Sequence, residues 1–419
     1  MPTAAGRDPR SLEASPVVRV LLPFAGAYVL SYLYRSLNAV IAPDLVADFA
    51  LSADQLGLLT SAYLLAFAAF QLPLGLLLDR FGPRRTDASL LLIAALGALV
   101  FALAHQLPSL IVGRALIGLG VSGCLHVGHQ GERGLVPDST AGEGERLDVL
   151  RRRRGPDAGN GPGRGGGPAH KLANGVCRSR TAHRESLGLI FLAVPERRSE
   201  AAHEPLRAQL AGLRCVLGDR RFWQISLSST TIQSTHMAVQ GLWVGPWLRD
   251  VAGFGRDAVA WHLLMIACAT TRGFLFWGSL ATWLSRRSVS VFSVYACASG
   301  AFLLFQLLVT VGSSRTALVA WVGYGFFGTA GSLCYAILPR RFPTALAGRA
   351  NTALNAMVFT SAFVVQWAMG AVINLWPAMA SGYDPRGYRI GFALALAMAL
   401  GAWVWMLSQA RHVAARTGA

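Results

Sequence analysis

The sequence predicts an all-α membrane protein built as two helical bundles, and three observations predict it. Hydrophobic residues make up 53% of the 419, charged residues only 14%, and mean hydropathy is positive at +0.44, a composition seen in chains that turn much of their surface to lipid. Apolar runs recur near residues 17–41, 56–78, 88–104, 107–124, 222–247, 258–281, 288–311, 315–338, 350–375 and 388–408; a bilayer core takes roughly 20 apolar residues to cross. The third is an internal repeat, in which GLLLDRFGPRR at 75–85 returns imperfectly as WGSLATWLSRR at 277–287.

The first residues, 1–16, form a polar tail without a small-residue cleavage pattern, so the run at 17–41 reads as a retained helix rather than a signal peptide. Arg35 stands deep inside it. An arginine in a membrane helix costs about 2.5 to 3.5 kcal/mol on the insertion scale, so it should face a cavity or a partner. Its planar fork suits phosphate, nitrate or carboxylate; pairing with a helix carbonyl or a carboxylate, or a place nearer the interface, is the alternative.

The run at 56–78 is uncharged and then stops at Asp79, Arg80, Arg84 and Arg85, with Gly82 and Pro83 between them to turn the chain back. A tight basic hairpin joining two spans belongs on the cytoplasmic side. The other arginines follow suit at the ends of alternate spans, from Arg10 and Arg19 to Arg286, Arg287, Arg340, Arg341, Arg349 and Arg411. Both termini are therefore expected in the cytoplasm, the 409–419 tail included, and the formal charge of +17 is a topology signal rather than a nucleic-acid one.

Residues 17–124 make the first four helices, and the next 63 residues break the pattern. From 125 to 187 the chain is rich in Arg, Gly, Pro and His without apolar periodicity, the composition of a disordered segment. It starts inside one membrane helix and ends inside the remnant of another, GLIFLAV at 188–194. A frameshift accounts for this better than an inserted loop or an RNA-binding module, because synonymous codons exist for which a one-base shift turns 125–137 into CMSAIKANVAWFP and 143–155 into KANGWMFFAGGVG. The bundle would then have lost its fifth and sixth helices. Residues 188–221 are read as the remnant of helix six and a basic central loop, and 222–408 as six further helices.

On the run at 222–247, Gln233, His236 and Gln240 fall at helical spacing along one face, where they would meet a polar solute. His236 is the residue there that changes charge near neutral pH and so suits a proton carrier, the alternative being a packing histidine. Trp243, Pro246 and Trp247 are expected to shape and anchor that helix end at the interface. Tyr335, with Ser332 and Asn355, is a further candidate for the cavity; Arg272 falls in mid-span on the next helix. The six cysteines are scattered, with neither disulfide nor zinc spacing, no GxxxxGK loop is present, and no nucleophile motif stands clear of the helices. No cofactor, metal or enzymatic activity is expected.

The hairpin residues Gly75, Asp79, Arg80, Gly82, Arg84 and Arg85 resemble the loop between the second and third helices of the major facilitator superfamily. Arg114, Gly118 and Gly120 in GRALIGLGVS resemble that family's fourth-helix motif, and GRANTALN at 348–355 the entry to its eleventh helix. The resemblance implies two six-helix bundles related by a pseudo-twofold axis, rocking about a central site. It implies a monomeric secondary transporter in a bacterial-type inner membrane, proton-coupled or exchanging, with Asp79 facing the start of helix eleven. The pattern around Arg35 is similar to organophosphate/phosphate exchangers, so a small anionic organic solute is expected. A non-transporting sensor on the same fold, or a non-functional product of a decayed gene, are the alternatives.

Overall fold

The computed structural model of the chain describes residues 42–123, 206–287, 289–379 and 382–417. The span expected at 17–41 and the segment 125–187 lie outside the described residues. The description opens with helical residues 42–49, after which Ala50 turns the chain at φ 49°.

Helix α1 (Ala53–Ala102) starts at Ser52, whose backbone N–H donates to Gln55 Oε1 at 3.2 Å, one half of a capping box. It is a hairpin rather than a rod. At Gly82 the backbone has φ 76° and ψ 164°, a conformation that favours a residue without Cβ. Pro83 follows, and Thr86 Oγ1 donates to the Leu77 carbonyl across the break at 3.1 Å. The two arms, 53–71 and 85–102, are each long and apolar enough to cross a membrane, so the turn read from the sequence after residue 78 is present.

Helix α2 (Leu107–Gly120) packs on both arms, and its glycines allow the backbones to approach. A Cβ on Gly113 would overlap Phe101, one on Gly120 would overlap Ala94, and one on Gly118 would overlap the Tyr63 carbonyl. Gly113 and Gly120 thus face the second arm while Gly118 faces the first.

The second half begins with α3 (Leu206–Gly218), where Gly212 makes room for the Arg349 side chain. Asp219 caps α4 (Arg220–Ala238) by accepting the Arg221 N–H at 2.7 Å. The rod continues through a π turn (Val239–Trp243) into α5 (Val244–Asp250). Pro246 has no N–H for the carbonyl of Leu242, which leaves that turn free to widen.

This rod is the helix expected at 222–247, but its chemistry is not that of an apolar run. Ser226, Ser228, Ser229, Thr230, Thr231, Ser234 and Thr235 are all buried, and the rod is missing from the helices apolar enough to cross on composition alone. Neighbouring protein rather than lipid covers it. Hydroxyls turn back onto carbonyls, Thr231 to Leu227 at 3.1 Å and Ser234 to Thr231 at 3.2 Å, and Ser228 pairs with the Tyr295 hydroxyl at 3.2 Å. Nor do its tryptophans anchor at an interface: Trp243 and Trp247 are 0% and 1% exposed. Trp243 Nε1 donates to the Gln366 carbonyl at 3.3 Å, and Trp247 meets Trp321 edge-on at 5.4 Å.

Five longer elements complete this half: α6 (Arg256–Ser285), α7 (Val291–Val311), α8 (Ala317–Gly328), α10 (Thr344–Ile373) and α11 (Pro385–Thr417). Between α8 and the short α9 (Cys334–Ile337), a 3-10 turn (Thr329–Leu333) brings Gly328 and Gly331 against α4. Among the described residues seven stretches are long and apolar enough to cross a membrane, and the architecture is all-α.

The two halves meet where the first arm of α1 lies along α10. A Cβ on Gly57 would sit 3.0 Å from the Gln366 carbonyl, and one on Gly370 would overlap Ala53. Lower down, Phe67 and Phe359 stack at 4.1 Å between centroids. The seam is therefore tight from the end away from the hairpin to mid-depth.

Candidate functional site

A small cavity lies on this seam, lined by Thr60, Tyr63 and Leu64 of α1, Arg114 of α2, Met237 and Gly241 of the α4 rod, and Gln366 of α10. It offers about 10 Å³ to the centre of a water-sized sphere, room for one water and no more. Four polar side chains converge on it from both halves. Gln366 Nε2 donates to Thr60 Oγ1 at 2.6 Å, and that hydroxyl donates in turn to the Leu56 carbonyl at 2.8 Å. The Arg114 guanidinium is 3% exposed and lies 5.6 Å from the centre of the Phe101 ring, within cation–π range.

The local fold explains each placement. Gly118 lets α2 approach α1 at Tyr63, which carries Arg114, one turn earlier, into the seam. Gly241 stands inside the π turn, a feature often found at functional sites, and a Cβ there would still be 3.8 Å from Gln366 Oε1. A guanidinium, two hydroxyls and an amide around a Met–Gly wall can bind an anion by charge and its polar periphery by hydrogen bonds.

The residues singled out in the sequence scatter around this centre. Arg114 reaches it; Gly118 and Gly120 set the packing that puts it there. Gln233 Nε2 bonds Ser229 Oγ at 2.7 Å and its stem fills the space left by Gly331. His236 is packed inside the second half, 5.5 Å from Tyr324 and 6.1 Å from Phe302 between ring centres, with Gly328 beside it. Gln240 Nε2 bonds Thr270 Oγ1 at 3.0 Å, and the Tyr335 hydroxyl donates to Asn355 Oδ1 at 3.0 Å. None of these four lines the seam cavity: Gln233, His236 and Gln240 turn from the α4 rod toward the 3-10 turn, α8 and α6 rather than toward α1, and Tyr335 stands on α9. Arg35 lies outside the described residues, as do the side chains of Asp79, Arg80 and Arg84. Gly75 is helical, Gly82 makes the break, and Arg85 is exposed. Arg272 is exposed on α6.

Thr60, Tyr63, Met237, Gly241 and Gln366 escaped the sequence reading. Gln366 had a usable signal, a lone amide in the apolar run VVQWAM, since polar residues in membrane helices tend to face an interior. Gly241 and Met237 had none.

At the end of the seam away from the hairpin a second polar group closes the molecule. Asp250, its side chain 1% exposed, accepts from Arg249 Nε at 2.6 Å, from the Tyr383 N–H at 3.1 Å and from the Tyr388 hydroxyl at 2.7 Å. The Tyr383 hydroxyl then crosses to the first half, donating to the Leu51 carbonyl at 3.3 Å.

Residues 24–131 match the family model described as Major Facilitator Superfamily. The MFS-type transporter VdtG of Byssochlamys spectabilis is 38% identical over 101 residues, which are 23% of this chain and 18% of that protein. The hexuronate transporter of Bacillus subtilis is 34% identical over 110 residues, 26% of this chain and 25% of that one. The chain thus spans a quarter or less of the length of these relatives. By fold the likeness is far longer: the crystal structure of a point mutant of the nucleoside transporter NupG superposes with a TM-score of 0.69 at 10% identity, over 94% of this chain and 99% of that one. The chain is thus similar in sequence to the major facilitator superfamily over residues 24–131, and over nearly its whole length it shares the helical fold of the NupG structure.

Proposed function

We propose that this protein is built for secondary active transport of a small anionic organic solute by alternating access, coupled to protons or to exchange. The observation that carries the reading is Arg114, a cation buried on the seam between the halves in a cavity whose polar groups come from both. A site shared by two bundles is emptied and filled by rocking one against the other, and with room for about one water it is closed in this state. The hexuronate transporter among its relatives, named for an anion, supports the solute class. Arg35 is the proposed second cation of the site, and the hairpin of Asp79, Arg80, Arg84 and Arg85 its gating element.

A second reading rests on the composition of residues 125–187 and on the family match, which stops at residue 131, six positions beyond the change in composition. On that reading the segment is frameshifted and the chain as written is an inactive product of a transporter gene. Uptake of labelled hexuronate, a sulfonate and inorganic phosphate into proteoliposomes separates the two, with the chain as written beside a frame-restored one. Uptake by both supports transport by the present chain. Uptake by the restored chain alone supports the second reading, and uptake by neither removes the anion assignment.

A further inference from the structure

Two residues into the second arm of α1, just past the hairpin, Asp87 is 2% exposed, and among the described residues neither of its carboxylate oxygens has a hydrogen-bond partner. It faces the C-terminal end of α2. Gly123, three residues past that helix, lies so close that a Cβ there would overlap Oδ1. The carbonyls at this end carry the negative pole of the helix; Ile117 and Leu119 offer theirs to the N–H groups of Val121 and Ser122. A bare carboxylate pressed against a helix C-terminus in a buried place is repelled by its surroundings and has lost its water. The elements packed on it do little to relieve this. Among the described residues, Arg85 is exposed on the same helix, and Arg114 stands six positions before the end of α2 at Gly120, roughly 9 Å along the axis at 1.5 Å per residue. Tyr63 of the first arm packs on α2 nearer that end, its backbone against Gly118.

We propose that Asp87 is a monovalent-cation site, taking a proton or a sodium ion, and that this cation is the one coupled to solute movement. The assignment rests on the transport reading only in its last clause; the binding itself does not need it. A cation between the carboxylate and the helix end neutralises the one and satisfies the other, and the absence of a side chain at Gly123 lets the carboxylate come close to that end. Intramembrane carboxylates with this exposure and no partner mark ion and proton paths.

The test uses the purified full chain in lipid nanodiscs and follows its melting temperature in two series. One lowers proton activity from pH 5 to pH 9 at fixed potassium; the other replaces potassium by sodium at constant ionic strength. A cation that binds only the folded protein stabilises it by mass action, so Tm is expected to fall by several degrees as the right cation is withdrawn. D87N, uncharged and of equal size, should lose that response. A response in the pH series assigns a proton, and one in the sodium series a sodium ion. A D87N protein that follows the wild type in both series overturns the proposal, as does a wild type flat in both. Should D87N fail to fold, infrared spectra of the wild type decide. The pH arm predicts the carbonyl stretch of a protonated acid in apolar surroundings; its absence together with a flat sodium series is again fatal. No solute enters the assay. Working transport without a cation response therefore removes this assignment alone, and a cation response in a protein that moves nothing removes the transport reading and the coupling clause but leaves the cation site.

Discussion

At the scale of single residues, the seam cavity makes two separable demands on its polar groups, and substitution should tell them apart. Thr60 and Gln366 bind each other at 2.6 Å across the halves and are both buried. Thr60→Val leaves the Gln366 amide without its acceptor, which costs about 1–3 kcal/mol, whereas removing both partners at once is close to neutral. Thermal unfolding of T60V, Q366L and the pair should therefore show a double mutant more stable than the sum of the singles predicts, a coupling of about 0.5–3 kcal/mol between contacting residues. Strict additivity would mean that the bond contributes nothing. Arg114 makes the other demand. Arg114→Lys keeps the charge but not the fork, so anion uptake should fall at least tenfold, the equivalent of about 1.4 kcal/mol, while Tm moves little. Uptake at wild-type level in R114K would remove the guanidinium from the binding site. Arg114 was visible in the sequence as part of a glycine-rich motif, yet its place in the cavity was not: that depends on which arm of α1 meets Gly118, and no spacing along the chain reports it.

At the scale of elements, glycines decide how close the helices come. Gly57 and Gly370 bring α1 and α10 together at the end away from the hairpin, where Tyr383 also reaches the Leu51 carbonyl. Gly370→Leu would push a branched side chain into the backbone at Ala53 and part the halves there. Cysteines placed at 51 and 383, in a background without the native ones, should cross-link readily in the parent and several-fold more slowly in G370L, read on a gel with and without reductant. Equal rates would show that the glycine contact does not hold this end shut. At the hairpin, Gly82 has the positive φ that an L side chain adopts at a cost of order 1–3 kcal/mol, so Gly82→Ala should lower Tm without touching the seam. The turn of the hairpin at Gly82 was legible, since Gly-Pro flanked by charge leaves few other conformations. The α4 rod was legible as a helix but not as a buried polar one. Apolar periodicity measures exposure to lipid, and this helix is covered by protein on most sides. Its three sequence-predicted polar residues consequently lie at Ser229, the Tyr324–Phe302 pair and Thr270 rather than in the cavity.

On the scale of the whole molecule, the internal repeat foresaw two bundles, and the seam between them shows how such bundles rely on one another. The helix that closes the first half's side of the seam, the first arm of α1, is the second helix of its bundle in the sequence reading; its partner α10 is the fifth of the other. The pseudo-twofold axis that the resemblance implies would relate this pair to a second one, of α6 and a fifth helix of the first bundle, which the sequence reading assigns to residues 125–187. The span on α6 is also the least buried of the seven, 28% against 33–61% for the others, and Arg272, Trp261 and Leu275 stand exposed along it. A membrane-facing arginine costs about 2.5–3.5 kcal/mol, and a helix laid over α6 would remove that cost by taking the side chain out of lipid. If the frame is restored, the regained fifth helix should cover this face. A thiol reagent carried in lipid should then label Trp261→Cys quickly in the chain as written and at least tenfold more slowly in the restored one, in a background without native cysteines. The restored chain should also unfold at the higher temperature. Equal labelling and equal Tm would mean that residues 125–187 were never a pair of membrane helices, and the composition change would have to be read as a genuine insertion.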